Sequence, residues 1–303
     1  MPLRPRVPLA LCLPCAVAVA GAQPGGWNGA GAPALALSRV VDGTAPAPDP
    51  RVEPWRRAAE NGDPGAQAML GSMYYLGKSV PRDLDQALAW YRKAAVGGDA
   101  QAQAILGLSY DEGVGVARDP SEAARWLLMA ARQGDAGAQA RLGLLYLDGE
   151  GVGKDPAEAR KWLRAAAAQG DAGAQARLGA MCYLGQDQPR DAAEALKWLR
   201  LAAAQGEAEA QACLGMMYAL GDGVPRDSVE AYAWLLRAAA AGSPSAAGAL
   251  GAVAAGLTPA QAEEARRRAE ARPGPAQEPA PIPGPALPPA PRCPPGRPAG
   301  PPG

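Results

Sequence analysis

The chain contains no histidine and no phenylalanine. Without imidazole there is no Ser-His-Asp or Cys-His activation of a nucleophile, no imidazole general base and no histidine-containing metal site. Aromatic residues make up only 5% of the 303 residues while apolar residues make up 48%, so a core has to be assembled mainly from Ala and Leu with a few Trp. Those are strong helix formers. Charge of one sign is also missing: 30 basic side chains balance 30 acidic ones, leaving no long-range field toward nucleic acid or an anionic membrane. No nucleic-acid partner is expected. The longest apolar run, residues 7–20, is 14 residues long, short of the roughly 20 a membrane span needs. Stable membrane insertion is not expected either.

That run follows Arg4 and Arg6 and leads into small residues around Ala20 and Ala22, the order of an export signal. Residues 1–22 are therefore read as a signal peptide, which places the mature chain in the periplasm or outside the cell. Pro8 and Pro14 interrupt the run and keep an uncleaved, cytoplasmic chain as the alternative. Cleavage would leave Cys182, Cys213 and Cys293, an odd number that cannot all pair internally. Residues 23–52 form an Ala/Gly/Pro linker, and 272–303 a Pro-rich tail whose only large apolar residues are Ile282 and Leu287. Neither composition can build a core, and both are expected to be disordered.

Between them a strict period appears. Trp90, Trp126, Trp162, Trp198 and Trp234 lie 36 residues apart, as do Gly71, Gly107, Gly143, Gly179, Gly215 and Gly251. A second glycine series runs through Gly77, Gly113, Gly149, Gly185 and Gly221, and an aspartate series through Asp83, Asp119, Asp155, Asp191 and Asp227. Five ungapped units follow, 62–97, 98–133, 134–169, 170–205 and 206–241, with a half unit at 55–61 and a degenerate one at 242–256. Each unit reads as two helices. The first starts at Asp63, Asp99, Asp135, Asp171, Glu207 or Ser243, all N-cap types except Glu207, and stops at the second glycine series. The second starts at the aspartate series, with Gln86, Glu122, Glu158, Glu194 and Glu230 three residues on, a capping-box spacing. A last helix from Pro259 to Ala271, rich in Glu and Arg, suits the polar end of a stacked array.

The pattern carried by Ala102, Leu106, Gly107, Tyr110, Gly113, Gly115, Val116, Asp119, Ala123, Trp126, Ala130, Ala131 and Gly134 resembles the Sel-one-like repeat, a relative of the tetratricopeptide repeats. The resemblance covers about 55–271. It departs where Cys182 replaces the recurring Tyr, where Gln186 and Asp187 disturb the G-x-G-V loop, and where Ala247 ends the glutamine series. It implies an all-α fold, a right-handed α/α superhelical solenoid of 36-residue helix-turn-helix repeats, acting as a scaffold or adaptor in bacterial envelopes or signalling. It implies no catalytic residues, metal or cofactor. Periodicity alone requires stacking as well, since one two-helix unit cannot bury its own apolar face.

Within each first helix the recurring residues, such as Ala102, Gln103, Leu106, Gly107 and Tyr110, occupy one side, and the variable ones the other. The variable stripe includes Met69, Ile105, Leu108, Arg141, Leu144, Arg177 and Met216. These are the candidate binding residues for a protein or peptide ligand, on the expectation that first helices line a concave groove; burial between repeats is the alternative. Arg141 and Arg177 hold one position in successive units and are candidates to grip a ligand carboxylate together, unless each pairs with a surface acid such as Asp148 or Glu209. Cys213 falls on the same stripe, Cys182 on the packing side, so no disulfide is expected between them. The loop from Gly149 to Lys154 looks like a phosphate loop but lacks the following Ser or Thr, and is read as an inter-helix turn. A weak hydrolase of β-lactamase-like type, or a purely structural envelope protein, is the alternative to a binding module. No Ser-x-x-Lys element supports the hydrolase.

Overall fold

The computed structural model describes residues 51–271; the expected signal peptide at 1–22, most of the expected linker at 23–52 and the expected tail at 272–303 lie outside that span. Thirteen helices, and no strand, occur among the described residues. A short α1 (Glu53–Glu60) precedes five hairpins: α2 (Pro64–Leu76) with α3 (Leu84–Val96), α4 (Ala100–Glu112) with α5 (Pro120–Arg132), α6 (Ala136–Asp148) with α7 (Pro156–Ala168), α8 (Ala172–Leu184) with α9 (Ala192–Ala204), and α10 (Ala208–Leu220) with α11 (Ser228–Ala240). Then come α12 (Pro244–Ala254) and α13 (Pro259–Glu270). The hairpins stack into an α/α superhelical solenoid, each packing on the next.

Local chemistry sets the boundaries. Asp63, Asp99, Asp135 and Asp171 each accept a hydrogen bond from the backbone N–H three residues on, and Ser243 does the same, whereas Glu207 makes no cap. Its extra methylene carries the carboxylate past the N–H that an aspartate reaches. The first helices end at Gly77, Gly113, Gly149, Gly185 and Gly221, all with φ between 66° and 77°, a conformation that costs other residues strain. At the second-helix caps only half of the expected capping box forms. The aspartates accept from the backbone, but their own N–H groups already bond the carbonyls of Tyr74, Tyr110, Tyr146, Cys182 and Tyr218. The acids at the third position are thereby released to pair elsewhere, as Glu158 does with Lys161. The full reciprocal box occurs at Thr258 and Gln261.

The first glycine series lets the two helices of a unit touch. A Cβ on Gly107, Gly143, Gly179 or Gly215 would stand 2.6–2.7 Å from the Cγ of Leu127, Leu163, Leu199 or Leu235. In the first unit Tyr91 lies over Gly71 in the same way. Gly251, the last of the series, faces nothing, because α13 leaves the hairpin register and packs on α11 instead. The Trp series packs as expected, with Trp162 and Trp198 buried and Trp90, Trp126 and Trp234 against the core clusters.

A polar ladder joins the units. Gln67, Gln103, Gln139, Gln175 and Gln211 donate to the carbonyls of Ala59, Ala95, Ala131, Ala167 and Ala203, each at the end of the preceding unit's second helix. Gln133, Gln169 and Gln205 in turn donate to the side-chain oxygens of Gln103, Gln139 and Gln175 at 2.8–2.9 Å. At the next step Ala241 stands where the donor should be, and Gln211 Oε1 is buried without a partner.

The three sequence departures around 182–187 belong to one feature. Arg160 on α7, only 5% exposed, donates from Nε and Nη2 to the Asp187 carboxylate, from Nη2 to the Gln186 carbonyl and from Nη1 to Cys182 Sγ. Cys182 in place of Tyr leaves room for the guanidinium. Asp187, at φ 59° where three other units have glycine, supplies the counter-charge. Burial works against the Arg160 charge, but the Asp187 and Cys182 hydrogen bonds outweigh it and hold its pKa above the ordinary value.

Candidate functional site

Successive first helices touch directly, α4 with α6, α8 with α10 and α10 with α12, whereas successive second helices within the five hairpins make sparser contact. The row of first helices is therefore the inner side of the curve. The variable stripe lies on this row, and its burial changes along the array. Met69 is 43% exposed, Ile105, Leu108, Arg141, Leu144 and Arg177 are half-buried, and Met216 is 7% exposed.

Met216 is thus a correction to the expected groove. It packs with Ala212, Leu235, Ala246 and Ala249, because α12 carries mostly Ala and Gly, with Leu250 and Val253 also against this cluster, and settles closely onto α10. Cys213 is corrected likewise: it is 3% exposed and lies in the core with Leu214 and Met217. Cys182 occupies the core as expected, and the two cysteines are not bridged. Sequence reasoning missed the closure because it compared positions within the repeat, whereas burial at a given position depends on which neighbour follows.

The arginine pair does not form the expected grip. Arg141 Nε bonds Asp111 Oδ2 on the preceding first helix, and Asp111 is almost fully buried. Burial opposes the Arg141 charge, yet the hydrogen bond and attraction from Asp111 raise its pKa. The partner is Asp111 rather than Asp148 or Glu209, since side chains at this position point toward the preceding unit. Arg177 makes no hydrogen bond or ion pair within bonding distance among the described residues. Burial lowers its pKa, with Asp148, Glu207 and Glu209 acting in the opposite direction and Arg141 with it. Burial also raises the pKa of Glu207, helped by Glu209 and Asp171. Glu209 is bonded by the hydroxyls of Ser243 and Ser245. Around Arg177 acids outnumber bases, so a ligand carboxylate would meet net repulsion there.

Other motifs are structural. Arg82, Arg118 and Arg190 each donate from Nε to a carbonyl near the end of the first helix of their own unit, and Arg118 and Arg190 also pair with Glu150 and Asp222 of the next loop. The Gly149–Lys154 stretch is a turn: Gly151 lies against the Pro120 carbonyl of the preceding unit, with no space for a side chain. Burial pushes the Cys182 thiol up, against the pull of Arg160, which favours an inert thiol. No cluster of three or more potential metal ligands, and no helix long and apolar enough to cross a membrane, occurs among the described residues.

The Sel1 repeat model matches residues 64–99, 100–135, 136–171, 172–207 and 208–243. Among solved structures, a protective antigen present in uropathogenic Escherichia coli strains and displaying an SLR fold matches with 37% identity and a TM-score of 0.63, over 71% of this chain and 47% of that one. The chain thus spans about half the length of that antigen. A Sel1 repeat protein from Oxalobacter formigenes matches with 33% identity and a TM-score of 0.57, over 72% of this chain and 98% of that one. A search of curated proteins finds no match. Five consecutive repeats and a shared solenoid together make this chain a member of the Sel1 repeat family.

Proposed function

We propose that the protein is a non-enzymatic scaffold that holds a peptide or protein segment along its inner row of first helices, in the bacterial envelope. The observation that carries this reading is the half-open apolar row of Ile105, Leu108 and Leu144, each packed on one side against the repeat core and open on the other. A partner seated there presents apolar side chains to α4 and α6. It places a basic residue toward α8 and α10, where Asp148, Glu207 and Glu209 surround Arg177. The export-type leader at residues 1–22 supports the envelope location, and the family's general role in protein interaction supports the scaffold.

The test is a crosslinking pull-down from envelope extract, comparing the native chain with Ile105→Asp/Leu108→Asp. Both positions are half-buried, so melting temperature is measured alongside. Loss of the captured protein by about thirtyfold, with the fold retained, is expected from two apolar contacts worth roughly 1 kcal/mol each. Equal capture by the two chains would overturn the reading. Incubation with a chromogenic β-lactam is expected to give no turnover.

A further inference from the structure

The two ends of the array are finished differently. At the C-terminal end α13 presents Glu263, Arg266, Arg267 and Glu270 to solvent while burying Ala265, as a solenoid end must to stay soluble. The N-terminal end instead exposes Trp55 at 42% and Met69 at 43%. Repeat symmetry tells what each of these positions ordinarily touches. Trp55 is in register with Tyr91, Leu127, Leu163, Leu199 and Leu235, all 0–3% exposed, and each of those lies over the glycine of its own unit's first helix. Met69 is in register with Arg141, whose side chain reaches back to Asp111 on the preceding first helix. Both exposed residues therefore face one position that no described residue fills, that of a first helix belonging to the unit of α1.

We propose that residues 34–41 of this chain, Ala-Leu-Ala-Leu-Ser-Arg-Val-Val, cover this face and close the N-terminal end of the solenoid. In every full unit the contact joins residues 20 apart, Gly71 with Tyr91 through Gly215 with Leu235. Twenty residues before Trp55 is Leu35, inside the apolar stretch that precedes α1. The nine residues from 42 to 50 reach up to about 30 Å, ample for the return, and an intrachain contact has the advantage of high effective concentration. A head-to-tail second copy is disfavoured because α13 covers the end it would dock with. The cover is not another copy of the repeat: Leu35 stands where the repeat needs glycine, and Pro33 precedes it. This accounts for a family match that begins only at residue 64.

The test places a photo-crosslinking benzoylphenylalanine at position 55 of the full chain, an exposed site that tolerates it, and maps the products by mass spectrometry. Crosslinks from 55 to residues 34–41 within one chain are expected. Leu35→Asp/Leu37→Asp should reduce their yield by about tenfold or more, because a carboxylate against an aromatic ring loses its hydration, while Ala47→Asp in the intervening stretch should not. Crosslinks between two copies, crosslinks elsewhere in the chain, or a yield indifferent to Leu35→Asp/Leu37→Asp would each overturn the proposal.

Discussion

Replacing Ala241 by Gln should stabilise the C-terminal half of the array, and the structure sets the size of the gain. Gln133, Gln169 and Gln205 have backbone angles of φ −85° to −87° and ψ near 0°; Ala241 has φ −82° and ψ 2° and is exposed. A glutamine there needs no backbone change. Its amide would supply the donor that Gln211 Oε1 lacks, and could also reach the Gly206 carbonyl, as Gln133 and Gln205 reach Gly98 and Gly170. Relieving a buried unsatisfied acceptor removes a cost of about 1–3 kcal/mol. Ordering a glutamine side chain costs up to about 2 kcal/mol, less here because the position stays partly free. A net gain of about 1 kcal/mol is expected, read as a raised melting temperature and as slower hydrogen exchange in α10 and α11. Ala241→Glu is the control, since a carboxylate offers no donor at neutral pH. If Ala241→Gln gave no gain, or if Ala241→Glu matched it, the ladder would not be the source of inter-repeat stability that its geometry indicates.

Substitutions at four other positions follow from the same structure. Asp187→Ala should cost about 3–5 kcal/mol by stranding the buried Arg160 charge, seen in denaturant unfolding, with Asp187→Ala/Arg160→Leu recovering much of the loss. Glu207→Asp should restore the missing cap on α10 and add about 1 kcal/mol. Because burial raises the pKa of Glu207, folding favours its protonated form, so its ionisation destabilises as pH rises through the folded pKa. Glu207→Gln should therefore help at neutral pH and not in acid, which thermal melts at two pH values would show. Trp162→Ala, at a buried position, should cost about 3–5 kcal/mol, and Leu106→Asp at a fully buried one at least as much; an unchanged melting curve would contradict the packing described for these units.

The repeat, its helix boundaries and its core were legible because each rests on short-range chemistry that recurs: a cap aspartate, a left-handed glycine, a leucine over a glycine. Averaging over five copies turned weak signals into firm ones. The same averaging hid what is individual. Arg160 drew no notice because four other units carry Leu, Ala, Leu and Tyr at its position, and no spacing within a unit connects it with Cys182 and Asp187 across the boundary. Only the stacking brings them together. Ala241 stayed inconspicuous for the same reason, since the glutamine it should serve lies 30 residues earlier on another helix.

The candidate groove shows where position within a repeat stops being enough. Met69, Arg141 and Cys213 hold one register position, yet the first is 43% exposed, the second is neutralised by Asp111 and the third is 3% exposed. The difference comes from their neighbours: among the described residues no first helix precedes Met69, an acid sits on the helix before Arg141, and a helix of mostly small residues closes over the end that holds Cys213. A segment bound as proposed would therefore meet a surface graded along the array, open and apolar at α4 and α6 and acidic around Arg177. Selectivity in such a surface comes from the order in which unlike contacts occur along one row. A partner that matches this order in one direction mismatches it in the other, placing charge on Leu108 and an apolar side chain among Asp148, Glu207 and Glu209. On the proposed reading, the grading would fix the orientation of a bound segment as well as its composition.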